Sequence, residues 1–260
     1  MPIAMTANRS ANRLSRLALV AGLAPLVLGL AACNKGEEAA AGLTGDAIAK
    51  VAPPAGKAWS DVVSITPDLG YRMGNPEAPI KLVEYGSLTC PHCAEFSHEA
   101  TAELRDQFVA SGRVSYEFRN MIRDGVDLYL TQLTRCGAPE SFFALTDQTF
   151  ANQTKFFEKA QAAGKAAQEA AFSQAPDKRG IAIAELTGMT EFFAARGIAR
   201  EQANACLADT AKATTLAAAS NDQGEKLKIE GTPTFLVNGA KIDANTWPLV
   251  KAELEKLGAR

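Results

Sequence analysis

The sequence predicts an α/β fold interrupted by an all-helical insertion. Three observations carry that prediction. A buried-strand pattern at Ile80–Gly86 is followed by a helical stripe and a second strand. Residues 126–228 are then rich in Ala, Gln, Glu and Lys and nearly free of β-branched runs. Strand signals resume only at Thr234–Val237.

Taken in order, residues 1–32 read as a targeting segment rather than fold. Arg9, Arg13 and Arg16 form a basic start, and no acid precedes residue 37. Residues 17–32 are apolar apart from Gly and Pro, short for a membrane span and of the right length for a signal sequence. The run ends Leu30–Ala31–Ala32–Cys33, which resembles a bacterial lipobox with Cys33 as the lipidated first residue. An ordinary signal peptide with an incidental Cys33 is the alternative. Removing residues 1–32 leaves 24 basic and 29 acidic residues, a net −5. That charge speaks against a nucleic-acid footprint. Export places cysteines where disulfides persist.

Residues 33–60 are rich in Ala, Gly, Glu and Pro and read as a flexible tether, with folded sequence starting between Trp59 and Pro79. Residues 61–125 hold the first part of the α/β unit. Ile80–Gly86 is its buried strand, and Phe96, Ala100, Leu104 and Phe108 form one apolar helical stripe that Gly112 ends. Val114, Tyr116 and Phe118 alternate as a second strand, making a parallel crossover unit. Residues 126–228 form the insertion, with breaks at Pro139, Pro176, Gly188 and Gly197. A block of that length needs packing of its own. Residues 229–260 return to the α/β unit: Thr234–Val237, an Asn238–Gly239 turn, and a last stripe of Trp247, Val250, Leu254 and Leu257.

The chemistry concentrates in Cys90–Pro91–His92–Cys93. Pro91 suits the first turn of a helix, where its missing N–H costs nothing. Cys90 then meets unpaired backbone N–H groups and the positive end of the helix dipole, which stabilise a thiolate. Cys93 lies a turn in and is expected to be less exposed. On this reading Cys90 attacks and Cys93 resolves. The His92 imidazole is expected beside Cys90, stabilising its thiolate and making the disulfide more oxidising. The same pair also fits a structural disulfide, a zinc half-site or two buried thiols. A zinc site needs a second ligand pair. Cys136 and Cys206 stand alone, and His98, the other histidine, shares the first helix.

Together, VEYGSLTCPHCAEF (residues 83–96) and GTPTFLVNG (residues 231–239) resemble the DsbA family of periplasmic thiol–disulfide oxidoreductases. The likeness covers residues 75–260 and is greatest to DsbA-like proteins of alphaproteobacteria. The resemblance implies a thioredoxin fold with an inserted all-helical domain. It implies Cys90 as nucleophile, Cys93 as resolving thiol, Pro233 as a cis-proline facing them, and Thr232 as a contact to substrate backbone. It implies Glu84 as a buried acid that relays a proton for Cys93; some family members pair that acid with a strand lysine, whereas here the second strand offers Glu117 and Arg119. It also implies a second disulfide between Cys136 and Cys206, with two buried thiols as the alternative. No metal or organic cofactor is implied. The expected partners are exported proteins with free cysteines and a membrane redox protein that reoxidises the site. The expected form is a lipid-anchored periplasmic monomer acting as an oxidase. A reductase or isomerase of the same fold is the runner-up, and an anchored chaperone with a vestigial cysteine pair comes from another class.

Overall fold

The computed structural model describes residues 45–260. Residues 1–32, expected as a signal segment, and Cys33, expected as its lipidation site, lie outside the described residues.

Six strands form one sheet in the order β1-β2-β4-β3-β5-β6. They are β1 (Val63–Ile65), β2 (Tyr71–Met73), β3 (Ile80–Gly86), β4 (Val114–Asn120), β5 (Thr234–Val237) and β6 (Ala240–Lys241). β3 and β4 are parallel, joined through α1 (Pro91–Glu103), and every other pairing is antiparallel. In the parallel register Leu82 stands opposite Tyr116 and Glu84 opposite Phe118. Alternation therefore puts Leu82, Glu84, Tyr116 and Phe118 on one face and Val83, Tyr85 and Glu117 on the other.

Beyond Glu103 the first helix widens into a π-helical segment, Leu104–Val109. The stripe of Phe96, Ala100, Leu104 and Phe108 repeats every four residues. In an α-helix each such step overshoots a full turn by about 40°. The wider π turn takes up the drift, so all four side chains stay buried. They meet α10 (Trp247–Lys256), whose Trp247 ring packs edge-on to Phe96 and Phe108.

The insertion runs from Gly125 to Leu227 as α2 (Gly125–Thr134), α3 (Phe142–Ala151), α4 (Gln153–Ala163), α5 (Lys165–Phe172), α6 (Pro176–Thr187), α7 (Met189–Ala194), α8 (Arg200–Ala208) and α9 (Thr210–Leu227). It shares the core of the sheet. Phe142 of α3 stacks on Tyr71 of β2 at 3.8 Å between centroids, and Phe150 meets Phe118 edge-on. One continuous apolar cluster joins the sheet, α1 and the insertion. The insertion has packing of its own, α6 lying against α4, α5 and α8, and it also joins the sheet's core through α3, which lies against α1.

Two features differ from expectation at the N-terminal side. β1 and β2 precede the strand expected first. The stretch expected as a tether is bound from Gly45 onward: its amides at Gly45, Ile48 and Val51 donate to the carbonyls of Lys256, Gly258 and Ser111. The Trp59 indole donates to the Val51 carbonyl at 2.8 Å. Gly112, at φ 72°, lies against this strap, where a Cβ would come within 2.5 Å of the Val51 oxygen. Composition does not reveal such a strap because most of its hydrogen bonds are donated by backbone N–H groups, which every residue but proline carries.

Candidate active site

The site forms where β3 ends. Ser87, Leu88 and Thr89 turn the chain, Cys90 caps α1 in an extended conformation, and Pro91 occupies the first helical position. Asp127 of α2 holds the turn in place. Its carboxylate accepts from the Ser87 hydroxyl at 2.6 Å, the Leu88 amide at 2.9 Å and the Arg123 amide at 3.0 Å. From α4, the Gln153 side-chain amide donates to the Leu88 carbonyl at 2.9 Å and the Cys90 carbonyl at 3.0 Å. The insertion thus fixes the loop that carries the cysteines.

Cys90 and Cys93 are both free and both buried, at 4% and 0% exposure. Their environments differ sharply. The Cys93 thiol, donating to Cys90, pulls the Cys90 pKa down to about 4, against the opposing effect of burial. The Thr232 side chain and the amides of Cys93 and His92 add to the lowering. Burial pushes the Cys93 thiol far up, although the Ser87 amide reaches its sulfur at 3.5 Å. One thiol is thus poised as an anion and the other as a neutral group.

The Thr232–Pro233 peptide bond is cis, and it brings the Thr232 carbonyl to 3.2 Å from Cys90 Sγ, which donates to it as the thiol. Open grooves flank the pair. One is lined by Cys90, His92, Met121, Arg123 and Ile229, the other by Thr232, Pro233, Lys241 and Asn245.

His92 departs from expectation. Its side chain is 79% exposed and its Nδ1 lies 3.5 Å from Glu95, one turn along the helix. The His92 backbone amide, not its imidazole, acts on Cys90. At the second helical position a side chain projects outward while its N–H points toward the cap.

Glu84 is buried at 1% exposure beneath the cysteines. Burial raises its pKa to about 8. The Tyr116 hydroxyl donates to its Oε2 at 2.6 Å, and among the described residues Oε1 has no hydrogen-bond partner. That free oxygen lies over Gly86, where a Cβ would sit 2.8 Å from it and 2.5 Å from the Phe118 ring. The partner on the second strand is thus Tyr116; Glu117 faces the opposite side, ion-paired with Arg119.

Cys136 and Cys206 are joined as a disulfide between the end of α2 and α8. Among the described residues no group of three or more His, Cys, Asp or Glu could hold a metal ion, and no helix is long and apolar enough to cross a membrane.

Sequence reasoning missed Tyr116, Asp127 and Gln153 as parts of the site. Tyr116 shows in the sequence only as a member of the alternating strand 114–118; that it shares a face with Glu84 follows from the parallel register. Asp127 reads as an ordinary first-turn acid, and Gln153 as a helix-surface polar residue.

The thioredoxin family profile matches residues 68–256. A Rickettsia bellii protein assigned as a candidate protein-disulfide oxidoreductase is 26% identical over 184 residues, 71% of this chain; the chain spans 62% of that relative's length. A protein-disulfide isomerase structure from Novosphingobium aromaticivorans is 30% identical, with a TM-score of 0.67, covering 72% of this chain and 95% of the other. The structure of Wolbachia pipientis alpha-DsbA1 superposes with a TM-score of 0.57 at 21% identity, covering 72% and 89% of the two chains, a likeness of fold.

Proposed function

We propose, for a chain that belongs to the thioredoxin family in its DsbA-like branch, that it is an exported oxidase donating the Cys90/Cys93 disulfide to folding proteins. The observation that carries this reading is the asymmetry of the two thiols. A substrate thiolate attacks Cys90 Sγ, the bond to Cys93 breaks, and Cys93 leaves with the bonding pair. Glu84, protonated at neutral pH, gives its proton to the departing sulfur. A second substrate thiolate then attacks the substrate sulfur of the mixed disulfide and expels Cys90. The substrate loses two electrons and the cysteine pair gains them. Cys90 leaves readily because its thiolate is already favoured.

Thr232, beside the cis-proline, supports docking of substrate backbone along the groove at Pro233. A membrane partner that accepts the two electrons reoxidises the pair, and lipidation at Cys33 holds the monomer to the periplasmic side of a membrane. These follow from the family resemblance.

The test is the reduction potential of Cys90/Cys93 measured against glutathione. An oxidase requires a value well above about −270 mV, the thioredoxin value, and one near it overturns the assignment in favour of a reductase. The name of the Novosphingobium aromaticivorans relative favours an isomerase as the second reading. Rearrangement of a scrambled multi-disulfide substrate, faster than oxidation of the same reduced substrate, would establish it.

A further inference from the structure

A cavity of about 160 Å³ lies behind the active site, between α1, β4 and α3. Tyr116, Ser97, Thr101, Thr146 and Asp147 supply its polar lining. Asp147 is half-buried, accepting from the Thr101 hydroxyl at 3.2 Å and the Ser97 hydroxyl at 3.4 Å. The buried Thr146 hydroxyl has no protein partner. The space is large enough for several waters and offers polar groups to bind them. Arg105 and Glu140, both exposed, also line it, so it reaches solvent. None of its residues lines the grooves at Cys90 and Thr232.

A proton is needed at a particular moment. When substrate attacks Cys90, Cys93 departs as a thiolate deep in the core while the substrate covers the Cys90 face. Glu84 lies near enough to the Cys93 thiol to act on it electrostatically; among the described residues its Oε1 is unpartnered, while Oε2 is held by Tyr116, a residue that lines the cavity. We propose that this cavity is the proton inlet of the active site, with Asp147 as its relay and Tyr116 as the link to Glu84. The inference rests on the oxidase reading above. Glu84 gives its proton to the Cys93 sulfur. Tyr116 passes its hydroxyl proton to Glu84 and takes one from cavity water, Asp147 replenishes that water, and solvent reprotonates Asp147. One proton enters for each Cys90/Cys93 disulfide opened, from the side away from substrate.

The charged and titratable groups around Asp147 are Arg105 on the extension of α1, Glu140 ahead of α3, Tyr116 on β4 and Glu84 on β3. Burial holds the Asp147 pKa up at about 6, in the range where a carboxyl exchanges protons near neutrality.

The experiment follows reduction of the oxidised full chain by dithiothreitol, quenched by acid alkylation, across neutral to mildly alkaline pH. The variants are Tyr116→Phe, Asp147→Asn and Glu84→Gln. Each should slow reduction on the order of tenfold, increasingly at higher pH, against the hundredfold or more that a positioned acid contributes. Imidazole should restore part of the rate to Tyr116→Phe and Asp147→Asn, and both should keep the wild-type reduction potential. Should either fail to fold, Ala144→Phe, which plugs the cavity without removing a titratable group, should slow the reaction in the same way. Tyr116→Phe and Asp147→Asn as fast as wild type, with Glu84→Gln slow, would overturn the inlet and leave the oxidase reading standing. Slowing with a shifted potential and no rescue would also overturn it, as a structural effect. Absence of thiol exchange in the wild type would remove the oxidase reading and the inlet with it.

Discussion

Tyr116 of β4 donates its hydroxyl to Glu84 Oε2 on the neighbouring β3, 2.6 Å away, and among the described residues no Lys or Arg acts on the carboxyl. One hydrogen bond does not offset burial, so Glu84 is held protonated up to about pH 8 from an ordinary 4.5. The unfolded chain gives up this proton at the lower pH. Between the two values the native state binds the extra proton, so stability falls as pH rises through that window. Glu84→Gln removes the penalty. In urea unfolding the variant should match wild type near the lower limit and exceed it at neutral pH by about 3 kcal/mol. Equal stability at every pH would mean that Glu84 ionises freely.

The Cys90 thiol titrates in the opposite sense. Its pKa is lowered from 9.0 to about 4, so the reduced folded protein binds fewer protons than the unfolded chain between those values. That gain is present at neutral pH and is lost as pH falls through about 4. The thiolate ultraviolet absorbance of the reduced protein should titrate with a midpoint near this value, and Cys90→Ser should abolish the step. Each unit below pH 7 raises the reduction potential by about 30 mV. A midpoint near the ordinary thiol value would leave no electrostatic reason for an oxidising pair.

The β3–α1–β4 unit, the helix start at Pro91 and the placement of Cys90 at the cap with Cys93 a turn inside were legible because each is a local pattern. Glu84 was legible by position, but its partner was not. Identifying Tyr116 requires the parallel register that sets Leu82 opposite it, which no single strand encodes. β1 and β2, of three residues each, are too short for alternation to show. Asp127 and Gln153 reach the active-site loop from the insertion, across 39 and 65 residues of chain. Such contacts exist only once the tertiary packing is in place. His92 was misplaced because adjacency in sequence to Cys90 says nothing about which side of the helix its ring leaves from.

The Cys136–Cys206 disulfide closes a loop with a sequence separation of 70. Constraining the unfolded chain over that length is worth about 4 kcal/mol in the chain-entropy account. The double variant Cys136→Ser, Cys206→Ser should lose up to that amount in chemical denaturation. Neither Cys136 nor Cys206 is among the groups that act on the Cys90 thiol, so the Cys90 titration should not move. A shifted midpoint would instead couple the insertion's disulfide to the redox site.

Asp127 carries the loop that positions Cys90, and its two oxygens are used differently. Oδ1 accepts from the Leu88 amide, while Oδ2 accepts from the Ser87 hydroxyl and the Arg123 amide. Burial raises its pKa to about 7, so this carboxyl costs stability as pH rises toward neutrality even while it organises the turn. Asp127→Ala removes the acceptor of the buried Ser87 hydroxyl and Leu88 amide and of the more exposed Arg123 amide, bonds worth about 1 kcal/mol each, and should destabilise by about 2 to 3 kcal/mol. Asp127→Asn preserves the shape but turns an amide NH₂ toward a donor on one side, so it should recover only part of that loss. Both should quicken hydrogen exchange at Leu88 and Arg123, whose amides the carboxylate now protects. Wild-type exchange at those two positions in Asp127→Ala would show that Gln153, through the Leu88 and Cys90 carbonyls, is enough to hold the loop.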